Sequence, residues 1–72
     1  MTQVNEVTSI LSNFSVASEE MALIADRFKK SSFEGGIPIK KLLLASELAL
    51  EKSTSGSIKA KYFMEALNNI LM

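Results

Sequence analysis

Apolar residues recur at steps of three and four along this sequence, and nowhere do they alternate with polar residues over a strand-length segment. A period of three to four residues places apolar side chains on one face of an α-helix, whereas a half-buried strand needs a period of two. The pattern occurs in four stretches that are separated by polar or glycine-containing segments. It therefore predicts an all-α protein with four amphipathic helices.

Each predicted helix has a recognisable face and recognisable ends. In the first, over about 3–14, the stripe is Val4, Val7, Leu11 and Phe14. In the second, over about 18–30, the face is Met21, Ile24, Ala25 and Phe28, and Ser18 is the expected N-cap ahead of Glu19 and Glu20.

Glycine and proline set the start of the third predicted helix, over about 38–52. Pro38 suits a first helical turn because its missing N–H would be unused there. Apolar residues cover more than one stripe of this helix, so we expect it to be the most enclosed of the four, with Leu42 to Leu50 inside. Ser57 is the expected cap of the last helix, over about 57–71, whose inward face is Tyr62, Phe63, Ala66, Leu67, Ile70 and Leu71. Short connections between such helices favour a compact bundle in a single domain, 1–72.

Composition argues against catalysis. The 72 residues contain no His and no Cys, which removes imidazole bases, thiol nucleophiles, disulfides and the usual zinc ligands. A serine nucleophile would need a lysine as its base, and no spacing selects such a pair. The carboxylate pairs Glu19 with Glu20 and Glu47 with Glu51 are expected to be solvated partners of nearby lysines. We expect no catalytic residue, no metal site and no enzyme activity.

Charge and hydropathy limit where this protein can be located and which partners it can bind. Eight basic residues balance eight acidic ones, so there is no general field for nucleic acid or anionic lipid. The longest apolar segment is interrupted by charges and is too short for a membrane span, and the first residues do not resemble a secretory signal. We therefore expect a cytoplasmic protein. A cluster of exposed basic residues is typical of any solvated helix end, but it is also a candidate patch for nucleic acid or phosphate. The five basic residues that flank the central glycine segment are Arg27, Lys29, Lys30, Lys40 and Lys41.

The order of these features resembles the C-terminal helical lid of an AAA+ ATPase. The motif that carries the resemblance is Gly35-Gly36-Ile37-Pro38 at the start of the third helix. It is similar to the GGIP signature of the branch that holds secretion ATPases of the ExeA type and transposition ATPases of the TniB and Mu B type. Supporting segments are Val7 to Phe28, which is similar to the first two lid helices, and Ser57 to Leu67, which is similar to the closing one.

The resemblance implies a lid that contacts subunits, partner proteins or DNA. It binds ATP only through a core domain, because this chain has no Walker motif. An Arg that senses nucleotide phosphates commonly follows the proline in that family, and this sequence has Ile39 there. Lys40 could replace the Arg, the member could have lost sensing, or the likeness could be architectural. The alternative to a lid is a stand-alone helical regulator or adaptor that binds a protein partner or dimerises through an exposed apolar stripe.

Overall fold

Four helices make up the regular structure of the described chain. The computed structural model describes residues 4–30 and 36–72, and for Val4 the backbone alone. The helices are α1 (Val4–Ser12), α2 (Ser18–Lys30), α3 (Ile39–Lys52) and α4 (Ala60–Leu71). Within the two described ranges there is no strand, and an isolated parallel bridge pairs Val16 with Ile58. The all-α prediction with four helices is confirmed.

The helices are arranged as two hairpins lying side by side. α1 packs on α2, and α3 packs on α4 in the most extensive helix contact of the structure. α2 also packs on α4, and α1 on α3, so that equivalent helices of the two hairpins are neighbours. The four contacts close a ring with α1 diagonal to α4. A helical bundle of this kind buries one face of every helix in a common core.

The core is aliphatic, with two phenylalanines at its centre. Phe28 of α2 and Phe63 of α4 approach with 6.4 Å between their ring centroids and an angle of 38° between the rings. Around them lie aliphatic side chains from all four helices and from the segments that precede α3 and α4. The fully buried large members are Val7, Leu11, Ile24, Ile37, Leu42, Ile58 and Leu67. The predicted inward faces of α1, α2 and α4 are thus largely confirmed, with Met21, Tyr62, Ile70 and Leu71 packed at the edge of the core.

The prediction that α3 is the most enclosed helix is wrong. Its buried residues are Leu42 and three small ones, Ala45, Ser46 and Ala49, while Leu43, Leu44 and Leu48 are exposed. The small side chains at 45, 46 and 49 on the inner face let α4 pack closely there, and the leucines at 43, 44 and 48 lie outside that contact. The most enclosed helix is α4, whose buried residues are Ala60, Phe63, Met64, Ala66 and Leu67.

α2 begins at the predicted residue, 18, but the cap role predicted for Ser18 and the predicted starts of the third and fourth helices need correction. Ser18 is the first residue of α2, and the carbonyl of Ala17 accepts the first helical hydrogen bond, from Met21 N–H at 3.0 Å. Pro38 is the N-cap of α3 (ψ 135°) instead of its first residue. The last helix begins at Ala60, three residues after Ser57, because residue 58 is used for the bridge to Val16. The first helix ends at Ser12, before Phe14, and the predicted position 3 lies outside the described residues.

The loop between α1 and α2 is hydrogen-bonded to the loop between α3 and α4. Ile58 N–H donates to the carbonyl of Ser15 at 2.6 Å, and this bond accompanies the parallel bridge between Val16 and Ile58. In the second loop the buried Ser53 hydroxyl donates to Ala49 O at 2.8 Å and accepts Lys59 N–H at 3.3 Å. The loops therefore fix where α2 and α4 begin, side by side.

Candidate protein-interaction surface

The most unusual surface of the molecule is the outward side of α3. Four large aliphatic residues of this helix are exposed, with relative exposures of 50% for Ile39, 39% for Leu43, 46% for Leu44 and 36% for Leu48. We call these four residues the outer leucine face; by helix geometry they form two pairs, Ile39 with Leu43 and Leu44 with Leu48, one on each flank of the outward side. Single exposed apolar residues are ordinary, but several on one helix mark a surface that another molecule can cover.

Charged residues occupy the same outward side of α3. Lys40 and Lys41 lie in its first turn, and Glu47 and Glu51 lie in its second half. Ion pairs in the described part of the chain join Lys30 with Asp26 at 3.0 Å and Lys52 with Glu65 at 3.4 Å. These pairs leave the basic start and the acidic second half of α3 available to an outside partner.

The basic residues proposed as a nucleic-acid patch do not form one uniform surface on α2. Arg27, Lys29 and Lys30 are exposed near the end of that helix, and Lys30 is paired with Asp26. Arg27 and Lys29 differ by two positions and so point roughly 160° apart around the helix axis. Lys40 is exposed and Lys41 half-buried at the start of α3.

Gly36, Ile37 and Pro38 form the entry to α3. Gly36 has φ 76°, in the left-handed region that favours glycine. Ile37 is 2% exposed and lies in the core, and the carbonyl of Pro38 accepts the N–H groups of Lys41 and Leu42 at 2.9 and 3.3 Å. Gly35 lies outside the described residues. The motif residues that are described therefore anchor the start of α3, and Ile39 directly after them is exposed.

The carboxylate of Glu20 has a structural role that the sequence did not reveal. This side chain is half-buried, and its Oε2 accepts the backbone N–H of Ala60 at 2.8 Å. It was expected to be a solvated partner of nearby lysines, and it instead caps the start of α4 from the neighbouring hairpin. The sequence contains no local signal for this hydrogen bond, because Glu20 and Ala60 are forty positions apart. The partner considered for it, Glu19, is exposed, as are Glu47 and Glu51.

The buried serines are occupied by main-chain hydrogen bonds. Ser46 Oγ donates to Leu42 O at 2.9 Å, and Ser53 Oγ donates to Ala49 O at 2.8 Å. These hydroxyls donate to main-chain carbonyls one turn earlier in the same helix, so their hydrogen bonds have a structural role. Across the described ranges no three acidic residues come together as a metal site would require. No helix there has the length and apolar character needed to cross a bilayer.

No protein-family model, curated protein or solved structure matches this chain. The AAA+ resemblance of the sequence therefore stays a prediction. What the chain does has to be inferred from the chemistry of its surface, and the outer leucine face holds four of the six exposed large hydrophobic residues in the described part of the chain.

Proposed function

We propose that this chain is a cytoplasmic helical interaction domain, without catalysis of its own, that binds another polypeptide through the outer leucine face of α3. The observation that carries the proposal is the exposure of four large aliphatic side chains on one helix. Burying a leucine-sized side chain contributes about 1.5–3 kcal/mol, so side chains already half-covered can each still contribute about 1 kcal/mol to binding.

Folding does not require these side chains to be large. The inner side of α3 is filled by Leu42, Ala45, Ser46 and Ala49, and α4 packs directly on it. Polar residues at positions 39, 43, 44 and 48 would leave that contact unchanged. Aliphatic residues there are better explained by a partner that removes them from water.

Site-specific crosslinking tests the proposal. A photoreactive amino acid placed at Leu44 and activated in the producing cells should give a discrete adduct. The matched control is the same group at Asn69, which is exposed on α4. Adding Leu48→Glu should abolish the Leu44 adduct, because a carboxylate would be desolvated in the interface. An adduct that is equally strong at Asn69, or one that survives Leu48→Glu, would refute the proposal.

A second candidate function is that of an AAA+ lid, in which the bound polypeptide is the nucleotide-binding core. It is favoured by the entry to α3, where Gly36, Ile37 and Pro38 lead directly into the helix, as the GGIP resemblance implies. An open reading frame that continues into a Walker motif next to this segment would support it. A reading frame that ends without such a motif on either side would contradict it.

The transposition branch of that candidate adds contact with DNA through Arg27, Lys29, Lys30, Lys40 and Lys41. Titration with short duplex DNA tests this contact. For that many phosphate contacts the logarithm of the affinity should fall with the logarithm of salt concentration with a slope of roughly three to five. Amide shifts confined to these residues would support a DNA-facing end, and no binding at low salt would exclude it.

A further inference from the structure

We infer that the polypeptide bound by α3 is a second copy of this chain, with the two α3 helices packed antiparallel about a two-fold axis. This inference rests on the proposed function and names its partner. It depends on four residues, which we call the α3 stripe: Lys41, Leu44, Leu48 and Glu51. Both leucines and Glu51 are exposed, and Lys41 is half-buried.

The spacing of the stripe is that of a coiled-coil seam. Its members follow one another at steps of three, four and three residues. At about 100° per residue they fall within roughly 80° of arc, and at 1.5 Å per residue they extend over about 15 Å. Steps of three and four are the spacing with which two helices interlock side chains along a shared seam.

The stripe is its own complement when it is reversed. Leu44 and Leu48 lie two positions on either side of Ser46, and Lys41 and Glu51 lie five positions on either side. A two-fold axis level with Ser46 therefore places Leu44 against Leu48 of the second copy and Lys41 against its Glu51. An isologous interface requires this self-complementarity, because each contact occurs twice.

The lysines in the first turn of α3 are unfavourably placed with respect to its own helix dipole. The positive end of the dipole is the N-terminus, where acids are stabilising, yet the first turn of α3 has no acidic residue and contains lysines. Glu51 lies near the negative end, where cations are preferred. Lys52 in the last turn already complements that end, so the first turn is the unfavourable one within one chain, and an antiparallel second helix brings Glu51 of the other copy to it. Neither Lys41 nor Glu51 belongs to the ion pairs of the described residues.

Charge reversal provides the sharpest test, with the mass of the full-length chain measured by sedimentation from micromolar to millimolar concentration. The wild type should shift from the mass of one chain to the mass of two. Lys41→Glu and Glu51→Lys should each weaken association roughly tenfold, since each replaces two attractive contacts by two repulsive ones. The combined variant should recover affinity to within about threefold of the wild type, because the pairs are restored with their signs exchanged.

Two pairs of glutamine substitutions test the position of the seam. Leu44→Gln with Leu48→Gln should abolish the dimer. Ile39→Gln with Leu43→Gln is the matched control, since these residues are equally exposed but lie roughly 120° or more from the centre of the stripe. Glutamine keeps helix propensity close to that of leucine, and circular dichroism should show equal helix content in both variants.

The outcomes separate the inference from the proposed function. A chain that keeps the mass of one copy at all concentrations, a control pair that disrupts the dimer as strongly as the stripe pair, or a combined charge variant that does not recover would each overturn the dimer. A Leu44 crosslink with the mass of two chains supports both proposals. A crosslink to a different protein overturns the dimer and keeps the interaction domain, and the absence of any adduct overturns both.

Discussion

Glu20 is the residue whose substitution gives the clearest test of how this fold is held together. Its carboxylate accepts the N–H of Ala60, the first residue of α4, at 2.8 Å. The local N-cap of α4 is Lys59, which provides no side-chain hydrogen bond to the helix. Glu20 therefore supplies from α2 an acceptor for one of the N–H groups that the first turn of α4 leaves without a helical partner.

Truncation to alanine removes that acceptor. Loss of an N-cap costs about 1 kcal/mol, and a hydrogen bond to a charged group contributes about 1.5–3 kcal/mol. Glu20 is half-exposed, so solvent weakens the interaction of its charge with the Ala60 N–H. We therefore expect Glu20→Ala to lower the free energy of unfolding by about 1.5 kcal/mol. In a domain of this size that change lowers the melting temperature by roughly 6–12 °C. Glu20→Gln keeps an acceptor oxygen without the charge, and should lose about half as much.

Thermal unfolding followed by circular dichroism measures the effect, and Glu19→Ala is the matched control. Glu19 lies in the same first turn of α2 and interacts with the same helix dipole, but it is exposed. We expect it to change stability by less than about 0.5 kcal/mol. Equal losses in the Glu19→Ala and Glu20→Ala variants would show that the dipole of α2 explains the whole effect. The reasoning about Ala60 would then be wrong.

Three further substitutions probe the core and the second loop. Phe63→Ala should leave the chain largely unfolded, because emptying a fully buried aromatic site costs about 3–5 kcal/mol; a native-like far-ultraviolet spectrum with a sharp transition would contradict this. Ala49→Leu should destabilise by about 1–3 kcal/mol through overpacking at the contact of α3 with α4, and an unchanged urea midpoint would show that the contact is loose. Gly56→Ala should cost about 1 kcal/mol through backbone conformation alone, since φ is 80° and no atom lies within 4 Å of an added Cβ; urea unfolding with an unchanged m-value measures it, and a stabilised variant would exclude that cost.

Helix number and helix faces could be predicted because they depend on neighbours in sequence. Ile24 and Phe28 on α2, or Phe63 and Leu67 on α4, are four residues apart and necessarily share a face. The enclosure of α3 could not be predicted in this way. Leu42 and Leu43 are chemically alike, and what separates the buried one from the exposed one is the position of α4 against Ala45 and Ala49. That position is a tertiary fact, which a count of apolar residues does not contain.

The candidate surface was only partly foreseeable for the same reason. The sequence leaves open an adaptor or dimer with an exposed apolar stripe, and the four exposed aliphatic residues of α3 are a candidate for such a surface. Which leucines would be outside depended on the small residues taking the inner side. The start of the last helix was missed because Ser57 is a good cap by local rules, whereas the bridge between Val16 and Ile58 sets where that helix begins.

The bridge between the loops has a consequence for how the chain opens. Val16 and Ile58 are forty-two positions apart, and each lies two positions ahead of a helix start. Neither hairpin can separate from the other without losing the Ile58 N–H bond and the cap on Ala60 together. The amides of Ile58 and Ala60 should therefore exchange with solvent only when the whole chain unfolds, with the slow rates of the core amides of α4. The two hairpins, joined by these two hydrogen bonds, should therefore unfold as one cooperative unit.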